Sequence, residues 1–551
     1  MRGFARKAVL PAAALVVLVA AATAGGAAKK GGTLVFAGAS DPTYLDPALV
    51  SDGESFRVTE QIFEGLVALR PGTTKIVPKL ATSWKLSGGG KVWTFNLRRG
   101  VKFHDGTPFN AAAVCYNFNR WYNWKGAFQN AGASYYYQAI YGGFHHNEVT
   151  GLSSPLFQSC RAVGKYKDVV RLTRPSGTFF PSLVISSFSM QSPTALKKYG
   201  ADQGEIRNGT FAATGSYAFS HPTGTGPFKF KSWKVGEKLE LAKNTSYWGK
   251  KANLDRIIIQ PIGTTTGRLQ ALQSGAVNAY DLAAPQDVPT VQHNGSLKVI
   301  HRPAFNVAYV TINQAHKPFD DIRVRQAIAY GLDRAAVVRQ FYYGTGRVAQ
   351  EFIPPSLFGW TNKVAKYPYN PTKAKALLRA AGLKLPVKVD FWYPTGVSRP
   401  YMPDPKRNFE AFSASLEKAG FKVVPHSAPW SPDYLGKSDE GQLQVYLLGW
   451  TGDFGDPDDF IGIFFRSPQK QWGTTDSHEM DGVQKLLEKA RTETDEAKRT
   501  EMYQEANRQI MTILPGVPYA HNKPAVAFQA NVSGYVPSPV DLQSFATVSV
   551  G

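Results

Sequence analysis

Four aspartates crowd into a short stretch: Asp453, Asp456, Asp458 and Asp459. Carboxylates this close can hold a cation, accept an ammonium group or share a proton. Their spacing is not that of a calcium loop, which alternates oxygen ligands around a fixed glycine and closes on a glutamate. His145 and His146 are the only adjacent pair among ten histidines. They stand among glycines and tyrosines and read as a surface loop rather than a metal site. Gly88-Gly89-Gly90-Lys91 has glycines that could cradle phosphate, but it lacks the P-loop spacing and the hydroxyl residue after lysine. It reads as a hairpin turn between Trp84 and Trp93. The chain contains no G-x-S-x-G elbow and no H-E-x-x-H pair. Nothing local therefore marks a nucleophile with its base, or a catalytic metal, and the expectation is a protein that is not an enzyme and needs no cofactor.

The elements that must position any site have ample material. The chain has 551 residues, 43% hydrophobic and 13% aromatic, enough for large packed cores and about three or four domains or lobes. Formal net charge is +22. Nucleic acid is the first partner such a charge brings to mind. No three basic residues stand in a row, however, so an evenly basic soluble surface is expected and no nucleic-acid partner. Weak attraction to anionic lipid or wall polymer stays compatible.

Residues 1–24 read as a secretory signal peptide. Arg2, Arg6 and Lys7 form its positive region, Ala8 to Ala22 its apolar run, and Ala22-Thr23-Ala24 its cleavage site. The apolar run is short for a membrane span. No cysteine lies near the cleavage site, so the exported chain is expected at the periplasmic or extracellular face without a lipid anchor on an N-terminal Cys. In an oxidising compartment the only two cysteines, Cys115 and Cys160, are expected to pair. Two buried free thiols are the alternative.

Strand and helix signals alternate, so the fold class is α/β. Lys91–Leu97, Val169–Thr173, Lys238–Ala242 and Arg256–Pro261 read as strands. Asn370-Pro371 opens a helix that Gly382 closes. Asp321 and Asp333 begin two more. The stretches 480–492 and 495–511 form another pair, with Val483, Leu486, Leu487 and Ala490 at helical spacing. Residues 129–155, 199–226 and 395–406 read as loops.

A longer set of strings, in order, resembles the extracellular solute-binding proteins of ABC transporters, family 5, of the dipeptide/oligopeptide type. They are Gly32-Thr33-Leu34, Leu45-Asp46-Pro47, Pro78 to Trp84, Val101-Lys102-Phe103-His104-Asp105-Gly106-Thr107-Pro108-Phe109, Gly224 to Phe228, Val324 to Ile328 and Gly449-Trp450-Thr451-Gly452-Asp453. Most are structural: Trp84, Phe95, Phe103 and Phe228 suit a core. The resemblance implies a two-lobed periplasmic-binding-protein-like fold with an extra subdomain and a ligand cleft between the lobes. Lobe I would hold residues 31–299, with the extra subdomain at about 72–220, and lobe II residues 310–514. Residues 518–551 would return to lobe I. The crossings would lie near 304–309 and 515–521.

The resemblance also implies roles. Asp453 matches the position that takes a peptide's α-ammonium, and Arg399, in Ser398-Arg399-Pro400-Tyr401, the one that grips its carboxylate. Trp450 would pack on the ligand backbone, with Thr451 and Gly452 beside it and Tyr401 next to the arginine. Gly53, in Ser51-Asp52-Gly53-Glu54, would reach ligand from lobe I. Tyr136 in the extra subdomain would face the cleft, although a core placement fits its type equally. A fixed Asp and Arg would select a dipeptide or very short peptide. The other solutes open to such a fold are a metal chelate, a haem-like molecule, an oligosaccharide or a signalling peptide. An exported chaperone or hydrolase is the reading from another class. The expected partners are ABC permease subunits with a cytoplasmic ATPase, and the expected state is a monomer.

Overall fold

The structure, a computed structural model, describes residues 31–475 and 477–551. The expected signal peptide lies outside the described residues. Two large sheets and one smaller one organise the rest. The first large sheet has seven strands in the order Phe228–Lys234, Lys238–Lys243, Arg256–Pro261, Thr33–Gly38, Ala279–Ala283, Ala525–Gln529 and Leu297–His301. Thr33–Gly38 pairs in parallel with both its neighbours, and the other pairs are antiparallel. The second has six strands, ordered Gly346–Val348, Gly516–Asn522, Asn306–Ile312, Val445–Thr451, Val387–Thr395 and Phe421–Pro429.

Every residue of Asn306–Ile312 and of Gly516–Asn522 is buried. Continuous burial is what central strands covered on both faces show. The chain passes between the two sheets twice: after His301, to enter at Asn306, and after Asn522, to re-enter at Ala525. The second passage comes a few residues later than the return expected at Pro518, because the apolar run through Ala520 continues the strand.

The third sheet is antiparallel, in the order Ala81–Ser87, Val92–Leu97, Lys167–Leu172 and Phe157–Ala162. The glycine run at 88–90, all with positive φ, turns its first hairpin as expected. Its inner face carries Trp93, Phe95, Leu97, Val170 and Leu172, against the helix Ala111–Tyr122, and the helix Ala131–Tyr141 shares the same hydrophobic core. Residues 129–155, expected as a loop, thus hold an 11-residue helix. Its sequence carries a run of three tyrosines and has Gly132 and Ser134 in its first turn, so the local helix signal is weak. It is helical because Tyr136, Tyr137, Ile140 and Tyr141 bury in that core.

Cys115 on the first of these helices is bonded to Cys160 on the edge strand, 45 residues apart in sequence. Converting both to Ala is expected to cost about 4 kcal/mol by the chain-entropy relation for a loop of this length. Urea unfolding checks it. An unchanged midpoint would mean that packing alone holds the strand to the helix.

The helices signalled by local caps are present at Ile322–Gly331, Arg334–Phe341, Pro371–Ala380, Asp481–Thr492 and Glu496–Ile513. Asp321, Asp333, Asn370 and Asp495 each accept a backbone N–H from the first turn of their helix. Among the described residues no helix is long and apolar enough to cross a membrane.

Candidate ligand-binding site

A cavity of about 1260 Å³ opens between the elements of the two large sheets. One wall includes Asp52, Gly53, Arg57, Asp281 and Asp541, the other Tyr393, Arg399, Asp404 and Trp430. Gly53 lines it, at the first turn of the helix Gly53–Ile62, which Asp52 caps by accepting from the Ser55 N–H at 2.9 Å. Ser51 to Glu54 are therefore a helix start rather than a free turn.

Arg399 lines the opposite wall. A small backbone bridge to Met402 holds its loop, and its guanidinium sits over the Trp430 ring, 4.4 Å from the centroid. Stacking of this kind orients the planar fork without consuming its donors. Its Nε has no hydrogen-bond partner. Tyr401 turns the other way: it is buried in the lobe II core, against Gly449, where any Cβ would collide with its ring. It thus positions the loop and is not among the residues that line the cavity.

The floor of the first wall is a network of buried charges. Arg57 pairs with Glu54 and reaches Asp281 at 3.3 Å. Arg302 reaches Asp281 at 3.0 Å and Asp541 at 2.5 Å. Gln543 donates to Asp281 at 2.5 Å. Burial pushes the Asp281 carboxyl up, but Arg302 and Arg57 outweigh it and hold the group below its ordinary range. At Glu54 burial wins over Arg57 and the carboxyl is raised. Sequence reasoning missed this network. Residues 57, 281, 302 and 541 share no local pattern, and only the fold brings them together.

Asp453 lies just after the strand Val445–Thr451, beside Tyr136 of the helix Ala131–Tyr141. Burial drives its carboxyl up to about 7; the Tyr136 hydroxyl pulls it down, and Asp541 adds repulsion. Asp459 accepts the backbone N–H groups of Asp453, at 2.6 Å, and Phe454, at 3.2 Å. Its own carboxyl is raised by burial and by Asp453 beside it. The two other aspartates are structural: Asp456 pairs with Arg499 and Asp458 with Arg466. The cluster of four thus separates into two ion-paired carboxylates and a coupled pair without a cation.

Tyr136 is buried between Phe56, at 5.7 Å between ring centroids, and Asp453. Tyr137 is core, and Tyr135 is 40% exposed. Trp450 meets Phe464 edge-on at 5.7 Å. Its indole N–H is directed at the Asp459 carboxylate, while the buried Thr451 hydroxyl has no hydrogen-bond partner. Gly452 cannot carry a side chain, since a Cβ would come within 2.3 Å of the Phe305 ring. The structure therefore places Trp450, Thr451, Gly452, Asp453 and Tyr136 in one neighbourhood, and Gly53 and Arg399 in another. Asp541 links the two: it lines the cavity and acts on Asp453.

Comparison with known proteins agrees in kind. The family model described as bacterial extracellular solute-binding proteins, family 5, middle portion, matches residues 75–472. The dipeptide-binding protein of Escherichia coli K12 is 30% identical over 529 residues, which is 94% of each chain. Heme-binding protein A of Haemophilus influenzae is 31% identical over 533 residues, 94% of this chain and 92% of the relative. Among solved structures, the periplasmic binding protein DppA from Helicobacter pylori, in complex with the peptide STSA, is 29% identical. It superposes with a TM-score of 0.78 over 95% of this chain and 98% of its own.

Proposed function

The chain belongs to the bacterial extracellular solute-binding proteins of family 5, and from that premise we propose that it is the exported receptor of an ABC importer that captures short peptides. It delivers them to transmembrane permease subunits driven by a cytoplasmic ATPase. It acts as a monomer, without a lipid anchor on an N-terminal cysteine, and breaks no bond in its ligand. In this reading lobe I and its extra subdomain close on lobe II about the two passages near 302–305 and 523–524.

The observation that carries the reading is Asp453. It is a half-buried carboxylate with an uncharged tyrosine and a second carboxylate beside it, and among the described residues no cation is paired to it. Holding negative charge there is costly. A ligand ammonium offsets that cost, as one partner of a desolvated ion pair does for the other. Arg399, stacked on Trp430 with an unpartnered Nε, supplies the complementary charge for a peptide carboxylate. The unpaired hydroxyl of Thr451 is a further point that ligand or closure would satisfy. A second reading, a haem-like ligand, draws on the name of the Haemophilus influenzae relative and on a cavity above the usual roughly 300–1000 Å³.

Titration calorimetry on protein stripped of bound ligand separates them. Di- and tripeptides should bind, N-acetyl peptides should not, and haem should give no heat. Affinity should also depend on pH. Below about 7 Asp453 is increasingly protonated in the free protein and must lose that proton to hold an ammonium. The association constant should then fall by roughly tenfold per pH unit as the medium becomes more acid, and level off above neutrality. Equal affinity for free and acetylated peptides, or a flat profile from pH 5 to 8, would sink the ammonium anchor. Haem binding without peptide binding would install the second reading.

A further inference from the structure

The charge expected to be spread evenly is not. Residues 72–220 hold 17 basic and 5 acidic side chains, a net +12, whereas residues 306–522 nearly balance at 27 and 24. The third sheet arranges part of that excess in a plane. Its register puts Lys85, Thr94, Val169 and Arg161 in one row across all four strands. A second row is Ser83, Asn96 and Lys167, and a third Ser87, Val92, Arg171 and Ser159. The opposite face is the one packed on the helices, so these rows point outward. Lys85, Arg161, Lys167 and Arg171 are all exposed, as are Lys91, Arg99 and Lys165 at the margins. The one acidic residue in the four strands, Asp168, faces inward and is fully buried.

We propose that this outer sheet face docks the protein on the surface of an anionic phospholipid bilayer. Four strands at about 4.8 Å spacing make a platform roughly 14 Å wide, with cations distributed in both directions. That layout meets headgroups arrayed in a plane, whereas a linear polyanion would be followed by a groove or a single line of charge. The turn at the end of the sheet adds what a membrane interface rewards. Val163 is 37% exposed there, and Tyr166 stands between the Arg99 guanidinium, at 5.3 Å, and the Lys165 ammonium, at 5.7 Å. An amphipathic ring bracketed by cations sits well at headgroup level. No residue of this sheet lines the cavity between the lobes, so the docked protein keeps its ligand site free. Peripheral attachment of this kind would confine an exported receptor to the layer where its permease lies, and the inference does not depend on which solute it carries.

Co-sedimentation with large unilamellar vesicles tests it, using the protein recovered after export. Vesicles of phosphatidylglycerol and phosphatidylcholine in equal parts should bind it, and pure phosphatidylcholine should not. Binding should weaken as salt rises. The triple variant Lys85→Gln, Lys167→Gln, Arg171→Gln should lose on the order of 100-fold in partition coefficient, at about fivefold per cation near an anionic surface. The charge-matched control Lys363→Gln, Lys388→Gln, Lys422→Gln, exposed on the other lobe, should bind as the parent does. All six positions are exposed, and an unchanged thermal midpoint in each variant shows that the fold is kept. Equal loss in both triples would reduce the effect to net charge and overturn the proposal. So would equal binding to neutral vesicles, or a preference for soluble poly(glycerol phosphate) at equal phosphate concentration.

Discussion

Asp453→Asn is expected to weaken short-peptide binding by on the order of 100- to 1,000-fold, about 3–4 kcal/mol, with no fall in the thermal midpoint of the ligand-free protein. The two halves of this prediction have one cause. The Asp453 carboxyl is raised by burial and by neighbouring acid groups, so in the empty protein its charge is a strain and the neutral amide relieves it. In the complex the same charge is half of a desolvated ion pair, and removing it leaves the ligand ammonium without a partner. Calorimetry and a melting curve on one sample report both. An N-acetyl peptide should not tell the variant from the parent, because the group that would feel the substitution is already gone. A variant that binds normally would return Asp453 to the role of a turn residue held by Asp459.

Arg302→Met is expected to destabilise the protein by about 3–5 kcal/mol. The side chain leaves the connection between the two large sheets and is buried. It donates to the carboxylates of Asp281 and Asp541 and to the carbonyls of Ser538 and Val540, at 3.2 and 3.1 Å. Methionine fills much of the space but leaves Asp281 with Arg57 as its one ion-pair partner beside the Gln543 amide, and Asp541 without the Arg302 cation. At roughly 2–4 °C per kcal/mol for a lobe of this size, the midpoint should fall by about 6–20 °C. The loss should shrink in acid, where Asp281 takes up a proton. Its carboxyl is held below the ordinary value in the parent, so the stability it contributes is fully present above the usual carboxylate range and is lost as pH falls below that range through the lowered folded-state value. A variant as stable as the parent would show that the network is replaceable polarity rather than the tie across the passage.

What the sequence disclosed was local. Helix starts were legible because a cap and the first turn are neighbours in the chain, as at Asn370-Pro371 and Asp333, and the glycine run at 88–90 marked its hairpin by the same logic. The strands Asn306–Ile312 and Gly516–Asn522 gave no such sign, since a run buried on both faces has no alternation to read. The helix Ala131–Tyr141 was hidden for the opposite reason: its tyrosine run and its early Gly132 and Ser134 blur the helical signal, and burial of Tyr136, Tyr137, Ile140 and Tyr141 fixes it. The site divides in the same way. Asp453 and Arg399 could be named because each sits in a short string that resembles a family. Asp541, Arg302, Asp281 and Arg57 meet only after the chain has crossed between the sheets, and no window of sequence contains them. The even surface charge was an inference from the absence of basic runs. It failed because alternate residues on paired strands accumulate on one face without ever being adjacent in the chain.

The strand Ala525–Gln529 lies inside the seven-stranded sheet, between Ala279–Ala283 and Leu297–His301. That sheet therefore cannot close while the chain is still being synthesised. Its interior position stays vacant until almost the last residues have emerged, and the pairing that fills it joins segments more than 200 residues apart. Contacts of such long range form slowly. Closure of the seven-stranded sheet is therefore expected to be a late and slow event in folding, whatever the order in which its other strands assemble.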